Sequence, residues 1–150
     1  MAKLERTIDV EATPEEVYDI LTDPHCLGEW VTIQEELVES PDPPLEEGDR
    51  ITQRMKVAGK GFEVSWDVEV AERPTKVQWA GGGPMGSVAR ATYELEPNGD
   101  GGTRFSYTNE YEVPGGPVGK VAGRALVQAS GGEADATLKR LKEFIEKKSG

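Results

Sequence analysis

The sequence predicts an α+β fold in which a curved antiparallel sheet of about six or seven strands wraps around a long C-terminal helix. Apolar and polar residues alternate with period two in the first ten residues and again between residues 32 and 113, which is typical of strands with one buried face. From about residue 117 to Lys148 the periodicity is helical, and only this segment is long enough to cover the sheet. A length of 150 residues suits a single domain spanning 1–150.

The first strand and the two short helices after it have clear local signals. Leu4 to Val10 alternates between two faces and contains β-branched residues, which predicts a strand. Thr13 can cap a helix in which Pro14 takes the first position. Asp23-Pro24 ends that helix, and His25 to Trp30 forms a second short turn or helix.

The remaining strands are separated by glycine-rich or proline-containing turns. They are predicted at 32–40, 50–58, 62–70, 87–96 and 103–113, and Arg73-Pro74 turns the chain before Val77 and Trp79, which continue the apolar side. The segment from Phe62 to Val70 has the clearest alternation. These strands follow one another through hairpins, which predicts antiparallel pairing.

The last helix follows Gly115-Gly116 and has an apolar face that changes in character along its length. Its last turns carry large side chains such as Leu141 and Ile145, whereas the first half of the same face carries small ones. Gly131-Gly132 lies between the two halves, and each glycine costs about 1 kcal/mol relative to alanine in a helix. The pair is compatible either with a bend or break in the helix or with room for a ligand or a hinge for a lid.

Composition narrows the functional classes. A formal net charge of −11 disfavours unaided binding to nucleic acid or to an anionic membrane. One cysteine, Cys26, allows no internal disulfide and no cysteine-based metal site. The first residues lack the apolar core of a signal peptide, and no apolar run reaches about 20 residues. We therefore expect a cytoplasmic protein without a cofactor, a metal or membrane insertion.

Alternation places a set of aromatic, apolar and amide side chains on the inner face of the sheet, opposite the small residues of the helix. The candidate ligand-binding residues are Trp30, Gln53, Met55, Phe62, Val64, Trp66, Trp79, Met85, Tyr93, Phe105, Tyr107, Asn109, Tyr111, Gly123, Val127, Ser130, Gly131 and Ala134. Most of these aromatic rings also fit a plain core. The buried amides and hydroxyls need hydrogen-bond partners, so they satisfy one another and the backbone or point at a ligand or water.

No catalytic residue can be assigned from the sequence. His25 is the only histidine and is followed by Cys26, but side chains at neighbouring positions point in different directions and no third group orients the pair. The carboxylates of the strands, such as Glu63 and Asp67, lie on the outward phase, which indicates a solvated face.

The order of these elements resembles the START-like helix-grip superfamily, and in particular its polyketide cyclase/dehydrase branch of small bacterial proteins. The matching segments, in chain order, are Val10-Glu11-Ala12, Thr13-Pro14-Glu15-Glu16-Val17-Tyr18, Leu21-Thr22-Asp23-Pro24 leading through Leu27 to Trp30, Gly48-Asp49, and Gly115-Gly116. The resemblance implies a pocket between the sheet and the last helix that binds apolar or aromatic small molecules, with Trp30 beside its mouth. It does not fix a reaction.

Three functional hypotheses follow. The first is a non-enzymatic binder or carrier of a hydrophobic or aromatic small molecule, such as a lipid, a polyketide or an isoprenoid-like compound. The second is a polyketide cyclase, aromatase or dehydratase, in which Tyr107 or Tyr111 would have to act as the acid. The third is a protein-interaction module that uses its acidic surface. The sequence leaves the ligand, any reaction, the protein partners and the oligomeric state open.

Overall fold

The computed structural model describes residues 2–57, 59–82 and 86–149; the side chains at 2, 57, 122, 123, 126, 127, 129, 130 and 149 lie outside this description. The elements, in chain order, are β1 (Ala2–Val10), α1 (Pro14–Leu21), a 3₁₀ turn (Pro24–Cys26), α2 (Leu27–Trp30), β2 (Gln34–Glu39), β3 (Arg50–Val57), β4 (Lys60–Glu72), β5 (Lys76–Gly82), β6 (Val88–Pro97), β7 (Thr103–Glu112) and α3 (Gly116–Ser149).

The described strands form one seven-stranded sheet in the order β1-β7-β6-β5-β4-β3-β2. Every neighbouring pair is antiparallel. Strands β2 to β7 follow one another through hairpins, whereas β1 pairs with β7 and therefore brings the two ends of the strand region together. The predicted α+β fold, with its antiparallel sheet, two short helical segments and long last helix, is confirmed.

The predicted start of α1 is confirmed in atomic detail. Thr13 is the N-cap, and its Oγ1 accepts a hydrogen bond of 3.3 Å from the backbone N–H of Glu16. Pro14 takes the first helical position, where its missing N–H has no cost. Asp23 performs the same capping role for the 3₁₀ turn, because its Oδ1 accepts from the backbone N–H of His25 at 3.0 Å.

Helix α3 runs without a break through Gly131-Gly132, so of the two structural outcomes open for this pair, a broken helix does not occur. Its C-terminal half seals the core, since Leu138, Leu141 and Ile145 are fully buried. No helix among the described residues is both long enough and apolar enough to cross a bilayer.

Polar contacts fasten this C-terminal half to β1 and to the segment after α2. The Lys142 ammonium donates to the backbone carbonyl of Asp9 at 2.7 Å, and the hydroxyls of Thr32 and Thr137 lie 2.9 Å apart. Further towards the N-terminus of the helix, Arg6 Nε lies 2.7 Å from Asp135 Oδ1. The helix is thereby fixed over one end of the sheet from residue 135 onwards.

Candidate functional site

The inward side chains of the sheet are arranged in rows, because directly paired residues of neighbouring strands lie on the same face. One row contains Trp79, Ala91, Asn109 and Leu4 on β5, β6, β7 and β1. The next row, towards the start of β6, contains Gly81 on β5, Ala89 on β6 and Tyr111 on β7, so two of these three positions are small. Small residues at the centre of the sheet thus separate large indole rings on one side from polar groups on the other.

A continuous group of aromatic rings lines this face. Tyr93 is its centre, with ring centroids 5.6 Å from Trp79, 5.3 Å from Tyr107 and 6.3 Å from Trp30. The contact between Trp30 and Tyr93 is edge-to-face, an arrangement that aromatic pairs favour. Trp30 is only 1% exposed, so α2 inserts its indole into the protein interior.

Other members of the predicted set extend this face towards β3 and β4. Met55, Val64 and Trp66 are buried and Phe62 is half-buried, while Phe105 lies at the opposite end and is fully enclosed. The structure therefore brings together the predicted residues of the sheet whose side chains it describes.

Gln53 is occupied by the protein itself. Its Oε1 accepts a hydrogen bond of 2.8 Å from Trp66 Nε1, and its Nε2 donates to Gln34 Oε1. Gln53 is 2% exposed, so this chain of amides satisfies polar groups that burial would otherwise leave unpaired. The contacts support a structural role for Gln53.

Asn109 differs because only half of its carboxamide is satisfied. Its Nδ2 donates to the hydroxyls of Tyr107, at 2.7 Å, and Tyr111, at 2.9 Å. Its Oδ1 is buried and has no hydrogen-bond partner among the described residues. Burial raises the pKa of the Tyr107 phenol, with a smaller contribution from Tyr111, and also raises that of Tyr93. These phenols stay protonated at neutral pH.

Two indole N–H groups of the same aromatic face resemble Asn109 Oδ1 in their lack of a described hydrogen-bond partner. The Nε1 atoms of Trp30 and Trp79 are buried without a hydrogen-bond partner in the described part of the chain. Both donors need an acceptor, whereas Asn109 Oδ1 needs a donor. Three buried polar atoms of this face therefore have no hydrogen-bond partner among the residues that the structure describes.

On the helix side, Gly131 lies directly against Arg6. A Cβ at Gly131 would come 3.2 Å from Arg6 Nη2, so the missing side chain makes room for this guanidinium. Ala134 is half-buried, whereas Gly132 is exposed with nothing near its Cβ position. The predicted Met85, and the side chains of Gly123, Val127 and Ser130, lie outside the described residues.

The height of the helix above the sheet rows follows from its contacts with β1. From Asp135 to Lys142 the helix rises about 10 Å, which matches the advance of about 10 Å from Arg6 to Asp9 along the strand. Leu4 on β1 pairs with Asn109. When the same rise is continued back from Arg6 to Leu4, the row of Asn109 lies level with about residue 130 of α3. The row of Asn109 is therefore level with the part of α3 in which the sequence has small residues.

Gly81 was not among the predicted site residues, although it shapes the aromatic face. A Cβ there would come 2.9 Å from Cε3 of the Trp66 ring and 2.6 Å from the carbonyl oxygen of Ser65. Only glycine lets the Trp66 ring lie across β5 at this point. The alternation along β5 predicts that Gly81 lies on the inner face. Its close approach to Trp66 depends on the register between β4 and β5.

The adjacent His25 and Cys26 do not form a catalytic pair in this structure. His25 is exposed and Cys26 is buried. Burial raises the pKa of the Cys26 thiol, as does the nearby Asp23 carboxylate, so the thiolate form is disfavoured. Among the described residues, no group of three or more His, Cys, Asp or Glu is placed to hold a metal ion.

A surface cleft of about 420 Å³ lies on the opposite face of the sheet. It is lined in part by Arg50 and Asp67, whose exposed ion pair spans 2.8 Å. None of the predicted ligand-binding residues lines this cleft.

Comparison with known proteins agrees with this architecture. A family model described as polyketide cyclase / dehydrase and lipid transport matches residues 1–146. The Mycobacterium tuberculosis protein Rv1546 is 29% identical over 148 residues, covering 96% of this chain and 99% of the relative. Among solved structures, the Zhui aromatase/cyclase from a Streptomyces species superimposes with a TM-score of 0.81 at 14% identity, covering 99% of this chain and 95% of that one. Protein TTHA0849 from Thermus thermophilus gives a TM-score of 0.77 at 21% identity, with 99% of each chain covered. The likeness to the two structures shows the shared helix-grip fold, and the family match shows that this chain belongs to the polyketide cyclase / dehydrase and lipid transport family.

Proposed function

We propose that this protein binds a hydrophobic or aromatic small molecule, such as a lipid, a polyketide or an isoprenoid-like compound, between the inner face of the sheet and α3. The observation that carries the proposal is a group of three buried polar atoms on the aromatic face that have no hydrogen-bond partner in the described part of the chain, namely Trp30 Nε1, Trp79 Nε1 and Asn109 Oδ1.

Such atoms are rare in folded proteins because each costs about 1–3 kcal/mol. Three of them together amount to a large share of the roughly 5–15 kcal/mol by which a domain is stable. Two of the three residues, Trp79 and Asn109, flank Ala91, whose side chain is a single methyl group. A mostly apolar wall with a few convergent polar groups is typical of small-molecule sites.

The same groups favour binding over catalysis. A phenol whose pKa is raised by burial is a poor proton donor at neutral pH, and this applies to Tyr107, one of the two acids that a cyclase reaction would require here. Arg6, the cation on the inward phase of β1, is paired with Asp135 at 2.7 Å. Amides, indoles and phenols can orient a ligand by hydrogen bonds without exchanging protons with it.

The proposal is tested by placing a larger side chain on the inner face of the sheet, where the ligand is proposed to bind. Ala91 is 3% exposed and lies between Trp79 and Asn109 in its row. We expect Ala91→Leu to weaken binding of 2-naphthol by at least tenfold in equilibrium dialysis, because the added isobutyl group occupies the ligand's position. Native mass spectrometry of the protein as purified, followed by extraction, would identify any molecule already bound.

Val88→Leu is the matched control, since Val88 lies on the same strand but on the exposed face. It should bind the probe like the unmodified protein. Ala91→Leu should also leave the free energy of unfolding within about 1 kcal/mol of its original value. A dry, packed interior would instead give a loss of about 1–3 kcal/mol from overpacking together with no probe binding by the unmodified protein, and this result would contradict the proposal.

A further inference from the structure

The carboxamide of Asn109 turns its nitrogen towards two tyrosine hydroxyls and its oxygen away from them. An amide nitrogen carries two hydrogens, and both are used here, one by the Tyr107 hydroxyl and one by the Tyr111 hydroxyl. In this orientation the nitrogen lies on the side of the two tyrosines, and Oδ1 faces away from them without a hydrogen-bond partner among the described residues. Asn109 is 7% exposed, so bulk water does not satisfy this oxygen.

An amide oxygen accepts hydrogen bonds and donates none, which restricts what can lie against it. An O–H or N–H group of a ligand would pair with Oδ1. A ketone, ether or carboxylate oxygen at the same place would set two acceptors against each other and leave both unpaired in a buried environment.

The position of Asn109 adds a second requirement. Trp79 lies in the same row, two strands away across Ala91, which places the two Cα atoms about 10 Å apart. Its Nε1–H is a donor without a partner among the described residues, so a ligand group lying against it must be an acceptor. A hydroxyl group is both a donor and an acceptor, and an apolar body between the two residues can carry one.

We infer that Asn109 is a specificity-determining residue that selects apolar ligands bearing a hydroxyl, or another O–H or N–H donor, by accepting that hydrogen at Oδ1. This inference rests on the proposed function, because it concerns the same site. It names the chemical class of the ligand: a hydroxylated hydrophobic or aromatic compound, in preference to its methylated or purely hydrocarbon analogue.

Three probes of nearly the same shape test it, namely 2-naphthol, 2-methoxynaphthalene and naphthalene. Their dissociation constants are measured by equilibrium dialysis with the unmodified protein. We expect 2-naphthol to bind about tenfold or more tightly than 2-methoxynaphthalene, since only the naphthol can donate to Oδ1.

Two variants assign this preference to Asn109. Asn109→Leu removes the acceptor, so the ratio between naphthol and methoxynaphthalene should fall to about twofold or less. Asn109→Asp keeps an acceptor at the same position and should retain the preference for naphthol. Circular dichroism checks that each variant is folded, and the comparison within the unmodified protein stands even where one is not.

The possible outcomes separate the inference from the proposed function. Equal binding of all three probes, or tighter binding of the methoxy compound, would overturn the inference while the binding function stands. An unchanged naphthol preference in folded Asn109→Leu would also overturn it. Binding of none of the probes by the unmodified protein would overturn the proposed function, and the inference with it.

Discussion

At the scale of single residues, the hydrogen-bonded side chains of Gln34, Gln53 and Trp66 show how polar groups can stabilise a protein interior. Gln53 accepts from Trp66 Nε1 at 2.8 Å, and both side chains are buried. Removal of one partner leaves the other unpaired, and this costs more than the hydrogen bond itself contributes. The second substitution in this pair should therefore lower the free energy of unfolding by less than the same substitution made alone.

Gln53→Leu should accordingly lower the free energy of unfolding by about 1–3 kcal/mol in urea denaturation. Trp66→Phe removes the matching N–H and serves as the second arm of a double-mutant cycle. In the double variant, the loss should be smaller than the sum of the two single losses by about 1 kcal/mol. Strictly additive losses would show that the hydrogen bond contributes nothing to stability.

At the scale of elements, α3 contains glycines in contrasting surroundings. Nothing lies within 4 Å of a Cβ built at Gly132, whereas a Cβ at Gly119 would overlap the carbonyl oxygen of Val113. Alanine has a higher helix propensity than glycine at both positions, so the two substitutions differ only in what the new methyl group meets.

We expect Gly132→Ala to raise the free energy of unfolding by about 0.5–1 kcal/mol, because it removes backbone freedom from the unfolded chain at no steric cost. Gly119→Ala should instead lower it by about 1–3 kcal/mol, because the start of the helix must move away from Val113. Urea denaturation measures both. A loss of stability in Gly132→Ala would mean that the helix needs glycine at this point.

At the scale of the whole molecule, the net charge of −11 lies mostly on the outward face of the sheet and on the loops. The ion pairs there, such as Arg90 with Glu69 at 2.9 Å and Arg73 with Asp19 at 3.0 Å, are partly or largely exposed. Exposed pairs contribute only about 0–1 kcal/mol each, so the excess negative charge is not balanced locally.

Salt should therefore stabilise the fold by screening this repulsion. Between 10 and 300 mM NaCl, we expect the thermal midpoint at pH 7 to rise by a few degrees, given that 1 kcal/mol corresponds to about 2–4 °C at this size. Differential scanning calorimetry measures the shift, and a charge-reducing variant such as Glu47→Gln should show a smaller one. A midpoint that falls with added salt would indicate that attractive ion pairs dominate.

Much of the fold could be predicted from local patterns. Alternation over Phe62 to Val70 identified a strand and its buried face, and Thr13 with Pro14 identified the start of α1, because these signals depend on residues near in sequence. The inward set from Met55 to Tyr111 followed from the same period-two rule. Strand order could not be read in this way, since the pairing of β1 with β7 joins residues about a hundred positions apart.

The sequence by itself determined which side chains of the strands face the interior. Only the tertiary structure decided which polar atoms find partners. Gln53 and Asn109 are both buried amides at inward positions, yet Gln53 is satisfied by Trp66 and Gln34, whereas the oxygen of Asn109 has no partner among the described residues. The reason is that differences of a few tenths of an ångström across strands decide whether a hydrogen bond forms, and these distances are set by register and packing.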